Sequence, residues 1–126
     1  MTLKQWLLVF SFFAVSVVAL LYGLSPSWFY AQFLLNSAPP GVDQSHILRA
    51  VMTLYLTLGL FWLWAAFSDR YRDMGLLTLC LFCGGLVVGR IISVLVDGLP
   101  SLILLVYIFI ELSVIPLAIW LLRRER

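Results

Sequence analysis

The sequence predicts an all-α integral membrane protein: a four-helix, up-down-up-down bundle with a short interfacial helix between the first and second spans. Three observations carry that prediction. Of the 126 residues, 63% are hydrophobic and only 11% charged, against about 45–50% and about 25% in soluble domains, and the mean hydropathy is +1.08. Four apolar runs of roughly 19–23 residues each match the length a bilayer requires. The connections between the last three runs are too short for anything but antiparallel neighbours. Residues 1–126 therefore read as a single membrane domain, with no room for a soluble enzyme, a Rossmann unit or a zinc module. The formal charge of +2 and the pI near 8.7 come from a few membrane-flanking arginines and imply no nucleic-acid partner.

The first span covers residues 3–24. A cleaved signal peptide is the competing reading, but a signal core is about 7–15 residues long and ends in a small-x-small site, whereas this run closes on the bulky Leu20, Leu21 and Tyr22. Ser25 and Pro26 then suit the N-cap and first position of a new helix. The aromatic segment 26–36 is too short to span and belongs at the headgroup level, and the Asn36-Ser37-Ala38-Pro39-Pro40-Gly41 cluster stops it. Asp43 or Ser45 can cap the second span, 46–67. A polar stretch at 68–73 allows only a tight hairpin into the third span, 75–96. Asp97-Gly98-Leu99-Pro100 turns into the fourth, 101–122.

Lys4, Arg70, Arg72, Arg123, Arg124 and Arg126 all fall on one side of this arrangement, and Asp43 and Asp97 on the other. The positive-inside rule places both termini in the cytoplasm and the interfacial segment outside. With no sorting signal visible, a bacterial inner membrane is the simplest address.

Arg49, Arg90 and Glu111 are the ionisable residues that orientation does not explain. Arg90 lies about 9 Å below the outer end of the third span, and Glu111 is roughly mid-membrane. A charge at a helix centre costs about 2.5–3.5 kcal/mol on insertion scales, so each is a functional candidate. Arg90, Ser93 and Asp97 share one face of the third span, His46, Arg49 and Thr53 repeat those offsets on the second, and Tyr107 and Glu111 lie one turn apart on the fourth. These stripes can converge on a polar cavity in the outer half of the membrane, where the charges of Arg49, Arg90, Asp97 and Glu111 cancel. In one reading they only neutralise one another, Glu111 with Arg90 and Asp97 with Arg49 or His46, and hold the helices in register. In the other they form a ligand pocket in which the arginines offer forked donors to a carboxylate, a phosphate or a quinone oxygen. An unpaired Glu111 carboxyl would instead carry its proton, as a relay group would.

The remaining motifs point to packing. Cys80 and Cys83 lie inside a helix as small packing residues, and one histidine with two thiols makes no metal site. Gly85, Gly89 and Ser93 form a stripe of small residues suited to close helix packing inside the bundle, or to a dimer seam. Pro116 frees the backbone carbonyl of Leu112.

The stretches "YGLSPSWF" (22–29), "HILRAVMTLYLTLGLFWL" (46–63) and "GRIISVLVDGLPS" (89–101), followed by Glu111, resemble a bacterial family of small four-helix membrane proteins catalogued as a domain of unknown function. The resemblance implies that His46, Arg49, Arg90, Ser93, Asp97 and Glu111 are the family's polar motif residues, and it implies no activity. A looser similarity of size and layout is to DoxX-like membrane proteins.

The leading functional expectation is a non-enzymatic membrane protein whose polar cavity binds an anionic or amphipathic ligand such as a lipid headgroup or a quinone. Tyr107, His46 and Ser93 complete its lining. No catalytic set and no cofactor are expected. The alternative is an accessory or assembly subunit with a purely structural polar cluster. Expected partners are membrane lipids, a second copy of the chain or a membrane partner subunit. A transporter or membrane enzyme lacks the repeats and the nucleophile-base pairs it would need.

Overall fold

The computed structural model describes residues 2–34 and 38–124. Among these residues there are five helices and no strand: α1 (Leu3–Gly23), α2 (Pro26–Phe33), α3 (Val42–Ala66), α4 (Arg72–Asp97) and α5 (Leu102–Arg124). The four long helices are each long and apolar enough to cross a membrane, and the chain is a multi-pass membrane protein. In hydrocarbon a helix satisfies its backbone donors and acceptors within itself, which is why runs of this composition fold this way.

Local chemistry sets the helix ends. The Thr2 hydroxyl accepts from the Gln5 N–H at 3.3 Å, while the Gln5 side chain accepts from the Thr2 N–H at 2.9 Å, a reciprocal cap that satisfies two donors at the start of α1. Ser25 caps α2 by accepting from the Trp28 N–H at 3.4 Å, with Pro26 opening the helix. The end of the expected 26–36 segment at Leu35 and Asn36 lies outside the described residues, as do Ser37 of the turn cluster and Arg126 of the basic set.

α3 begins at Val42, ahead of the expected His46, and its cap is Gly41 rather than Asp43 or Ser45. The physical reason is Gln44, whose side chain reaches back to accept from the Gly41 N–H at 2.9 Å. α4 likewise starts early, at Arg72. That side chain holds the α3–α4 turn by donating to the Ala66 carbonyl at 3.0 Å and pairing with Asp69 at 3.1 Å. The α4–α5 turn passes through Gly98, whose φ of 99° is the one positive value among the described residues and favours glycine there.

The spans alternate in direction. Gly23 faces Met52 and Gly59 faces Val15 across α1 and α3. Trp62 donates to Thr78 at 3.2 Å across α3 and α4, and Arg90 meets Glu111 across α4 and α5. Tyr22, near the end of α1, meets Tyr107, near the start of α5. α1 packs most extensively on α3, and α4 on α5. Contacts between α3 and α4 run from Ala65 and Gly75 near their shared turn out to Tyr55 and Phe82. α3 and α4 pack on each other far less than α1 does on α3 or α4 on α5.

Packing is tight near the basic end, where Leu8, Ala65, Ala66, Leu76 and Ala118 are fully buried and Lys4 pairs with Asp73 at 2.7 Å. A Cβ on Gly75 would lie 2.8 Å from the Ala65 Cβ, an atom fixed to its own backbone. At Gly85 and Gly89, by contrast, an added Cβ would meet nothing within 4 Å. The Gly85, Gly89 and Ser93 stripe faces outward, so the close helix approaches inside this bundle are made at Gly23, Gly59 and Gly75 instead. Gly75→Ala is therefore expected to lower stability by about 1–3 kcal/mol through overpacking, read as thermal unfolding in detergent. Gly85→Ala leaves the transition where it is or raises it, and equal effects at the two positions would contradict this packing.

Candidate functional site

Two charged side chains meet near the centre of the bundle. The Arg90 Nε of α4 donates to Glu111 Oε1 of α5 at 3.0 Å, and Nη2 reaches Oε2 at 3.5 Å. The side chains are 19% and 14% exposed, so each charge has lost most of its solvent and depends on the other. The α4–α5 hairpin brings them into register, since both lie at similar depth below the Gly98 turn.

Aromatic side chains enclose the pair. Tyr107, one turn before Glu111, lies with its ring centroid 5.8 Å from the Arg90 Cζ, within reach of a cation–π attraction. The Tyr22 hydroxyl lies beside the same guanidinium. Tyr22 packs edge-on against Tyr107 at 6.1 Å and Phe29 at 5.0 Å, and also contacts Tyr55 at 6.4 Å. One tyrosine thus joins α1, α2, α3 and α5, and buried Phe29 anchors the short helix α2 over the site.

Beneath these rings lies a cavity of about 80 Å³ between α1, α3, α4 and α5. Arg90, Glu111 and Tyr107 line it with Ser11, Trp62 and Cys83, and the rest of the wall is largely apolar. Ser11 and Tyr107 are both buried, and neither hydroxyl has a hydrogen-bond partner among the described residues. Such an unmet group costs about 1–3 kcal/mol, and two of them belong to residues that line this one cavity. Arg90 also borders a second cavity of about 90 Å³ beneath the α4–α5 turn, together with Ser93, Gly98 and Pro100.

The other predicted residues lie apart. Ser93 donates to Asp97 at 2.7 Å on the exposed outer end of α4. His46 and Arg49 are exposed and line a surface hollow with Pro40 and Gly41. The stripe on α3 does not join that on α4: His46 and Arg49 border a hollow separate from the one that Arg90 lines. Sequence reasoning missed Ser11, Tyr22 and Tyr55. The available signals were a hydroxyl in the middle of the first apolar run and tyrosines near the depth of the charged pair. Cys80 and Cys83 are free thiols, and no group of three metal-ligating side chains occurs among the described residues.

A family model, the domain of unknown function DUF4345, matches residues 3–122. The chain belongs to this family. The match spans all four membrane helices, so the Arg90–Glu111 pair and its cavity lie within the DUF4345 domain. No curated protein and no solved structure matches the chain.

Removing one member of a buried ion pair strands the other, at about 3–5 kcal/mol, whereas replacing both is often close to neutral. In this DUF4345 protein Arg90→Leu is expected to lower the thermal transition in detergent sharply, and adding Glu111→Leu to recover most of the loss. A double variant as unstable as the single one would show that the two side chains do not act as a pair.

Proposed function

We propose that this DUF4345 protein is a non-enzymatic binding protein of the bacterial inner membrane that holds an amphipathic ligand, such as a lipid or a quinone, in the Arg90–Glu111 cavity. The observation that carries the reading is the pair of buried, unpartnered hydroxyls, Ser11 and Tyr107, lining a cavity that also contains the ion pair. A largely apolar hollow with a few convergent polar groups is the usual form of a small-molecule site. Lys4, Arg70, Arg72, Arg123 and Arg124 gather at the opposite end from α2, which supports a cytoplasmic location for that end. Ser93, Asp97, His46 and Arg49 are then outer-surface residues, and Ser93 borders the smaller cavity on the far side of Arg90.

The experiment is native mass spectrometry of the protein extracted with its own lipids, wild type beside Ala14→Leu. Ala14 lines the cavity, so the larger side chain fills the hollow without breaking the ion pair. A specific adduct on the wild type, absent from a variant with an undiminished thermal transition, is expected. Adduct-free masses in both proteins would overturn the proposal.

A further inference from the structure

The central cavity adjoins a second hollow. A groove of about 430 Å³ lies between α1 and α5, lined by Leu3, Trp6, Leu117 and Leu121, and Phe10, Ile110 and Val114 border both spaces. α1 packs on α5 far less than on α3, which leaves this seam open on its lipid-facing side. A polar guest in the cavity can therefore extend an apolar chain along the seam without crossing a helix.

Charge, depth and size each restrict the guest. Glu111 already neutralises Arg90, so an anionic head would have to displace a carboxylate and leave it unpaired in hydrocarbon. Ser11 and Glu111 lie near the middles of α1 and α5, and bringing a phosphate to that depth carries the penalty of any charge at the bilayer centre. At about 80 Å³ the cavity is smaller than the roughly 150 Å³ engineered cavity that admits benzene, so a ring-sized head enters by its polar edge with its remaining atoms in the adjoining groove, and a phosphodiester does not fit. The unmet groups are hydroxyls, which donate to a carbonyl and both donate to and accept from another hydroxyl.

We infer that the ligand is a single-chain amphiphile with a small, uncharged carbonyl or hydroxyl head, held by Ser11 and Tyr107 in the central cavity, with its chain leaving through the α1–α5 groove. The inference rests on the binding reading above and narrows it. An alkyl quinone and a long-chain alcohol are two sources of this chemistry.

Delipidated protein in a non-ionic detergent is titrated with decylbenzoquinone, 1-dodecanol or dioleoylphosphatidylglycerol, and occupancy is read by native mass spectrometry. Saturable binding of a neutral probe, one molecule per chain, is expected, and the tighter of the two identifies the head. Tyr107→Phe removes an unpartnered hydroxyl, so the fold tolerates it, and it is expected to weaken binding roughly three- to tenfold, the loss of one hydrogen bond. Leu117→Trp fills the groove from its lipid face. It should weaken decylbenzoquinone at least fivefold while leaving the binding of chainless benzoquinone unchanged. Saturable binding of phosphatidylglycerol alone, lost in Ala14→Leu, would overturn this inference and leave the cavity reading intact. No saturable binding of any probe would overturn both. Decylbenzoquinone that ignores Leu117→Trp would overturn the route assigned to the chain.

Discussion

The organisation of this membrane domain depends on an ion pair placed where neither charge can stand alone. Arg90 and Glu111 face each other across α4 and α5 with 3.0 Å between nitrogen and oxygen. In hydrocarbon the separation of such a pair exposes two unsolvated charges, so the register of the α4–α5 hairpin is set by an all-or-none contact rather than by graded apolar packing. The Gly98 turn permits that register, and the tyrosines of α1, α3 and α5 close around it. What remains beneath is a hollow whose polar atoms exceed the hydrogen bonds available to them.

Packing elsewhere explains why the hollow survives. α1 is the hub, touching α2, α3, α4 and α5. Its approach to α3 is close because Gly23 and Gly59 remove the side chains that would hold the helices apart, and Gly75 does the same for α4 near Ala65 and Leu8. The contacts of α1 concentrate on α3. α1 and α5 meet loosely, and the groove between them runs from Phe10, Ile110 and Val114 beside the cavity to Leu3 and Leu121 near the basic end. Close packing of α1 on α3 thus stands beside a loose α1–α5 seam, and the hollow lies where the two meet.

Much of this was legible in the sequence. Hydropathy and run length gave four spanning helices, and Ser25-Pro26 marked the start of α2, because both signals are local. The pairing of Arg90 with Glu111 was one of the readings the sequence left open, and the structure shows it. The start of α3 was hidden because its cap depends on Gln44 reaching back to a glycine. His46 and Arg49 were expected in the same cavity because their offsets match those of Arg90 and Ser93. Periodicity reports the face of one helix and carries no information on whether two helices stay together along their length. Ser11 was overlooked because one hydroxyl within an apolar run is cheap to insert, and its importance comes from neighbours on other helices. The outward turn of Gly85 and Gly89 was likewise a matter of tertiary placement, since small residues at four-residue spacing look the same on a packed face and on a lipid-facing one.

The most direct test of the central claim is a solid-state NMR dipolar-recoupling measurement in lipid bilayers between the Arg90 side-chain nitrogens and the Glu111 carboxyl carbon. A strong coupling of directly hydrogen-bonded groups, with the carbon shift of an ionised carboxylate, is the result this account predicts. The absence of coupling, with the shift of a protonated acid, would mean that Glu111 stands alone in the membrane and that the pair on which the cavity depends does not form.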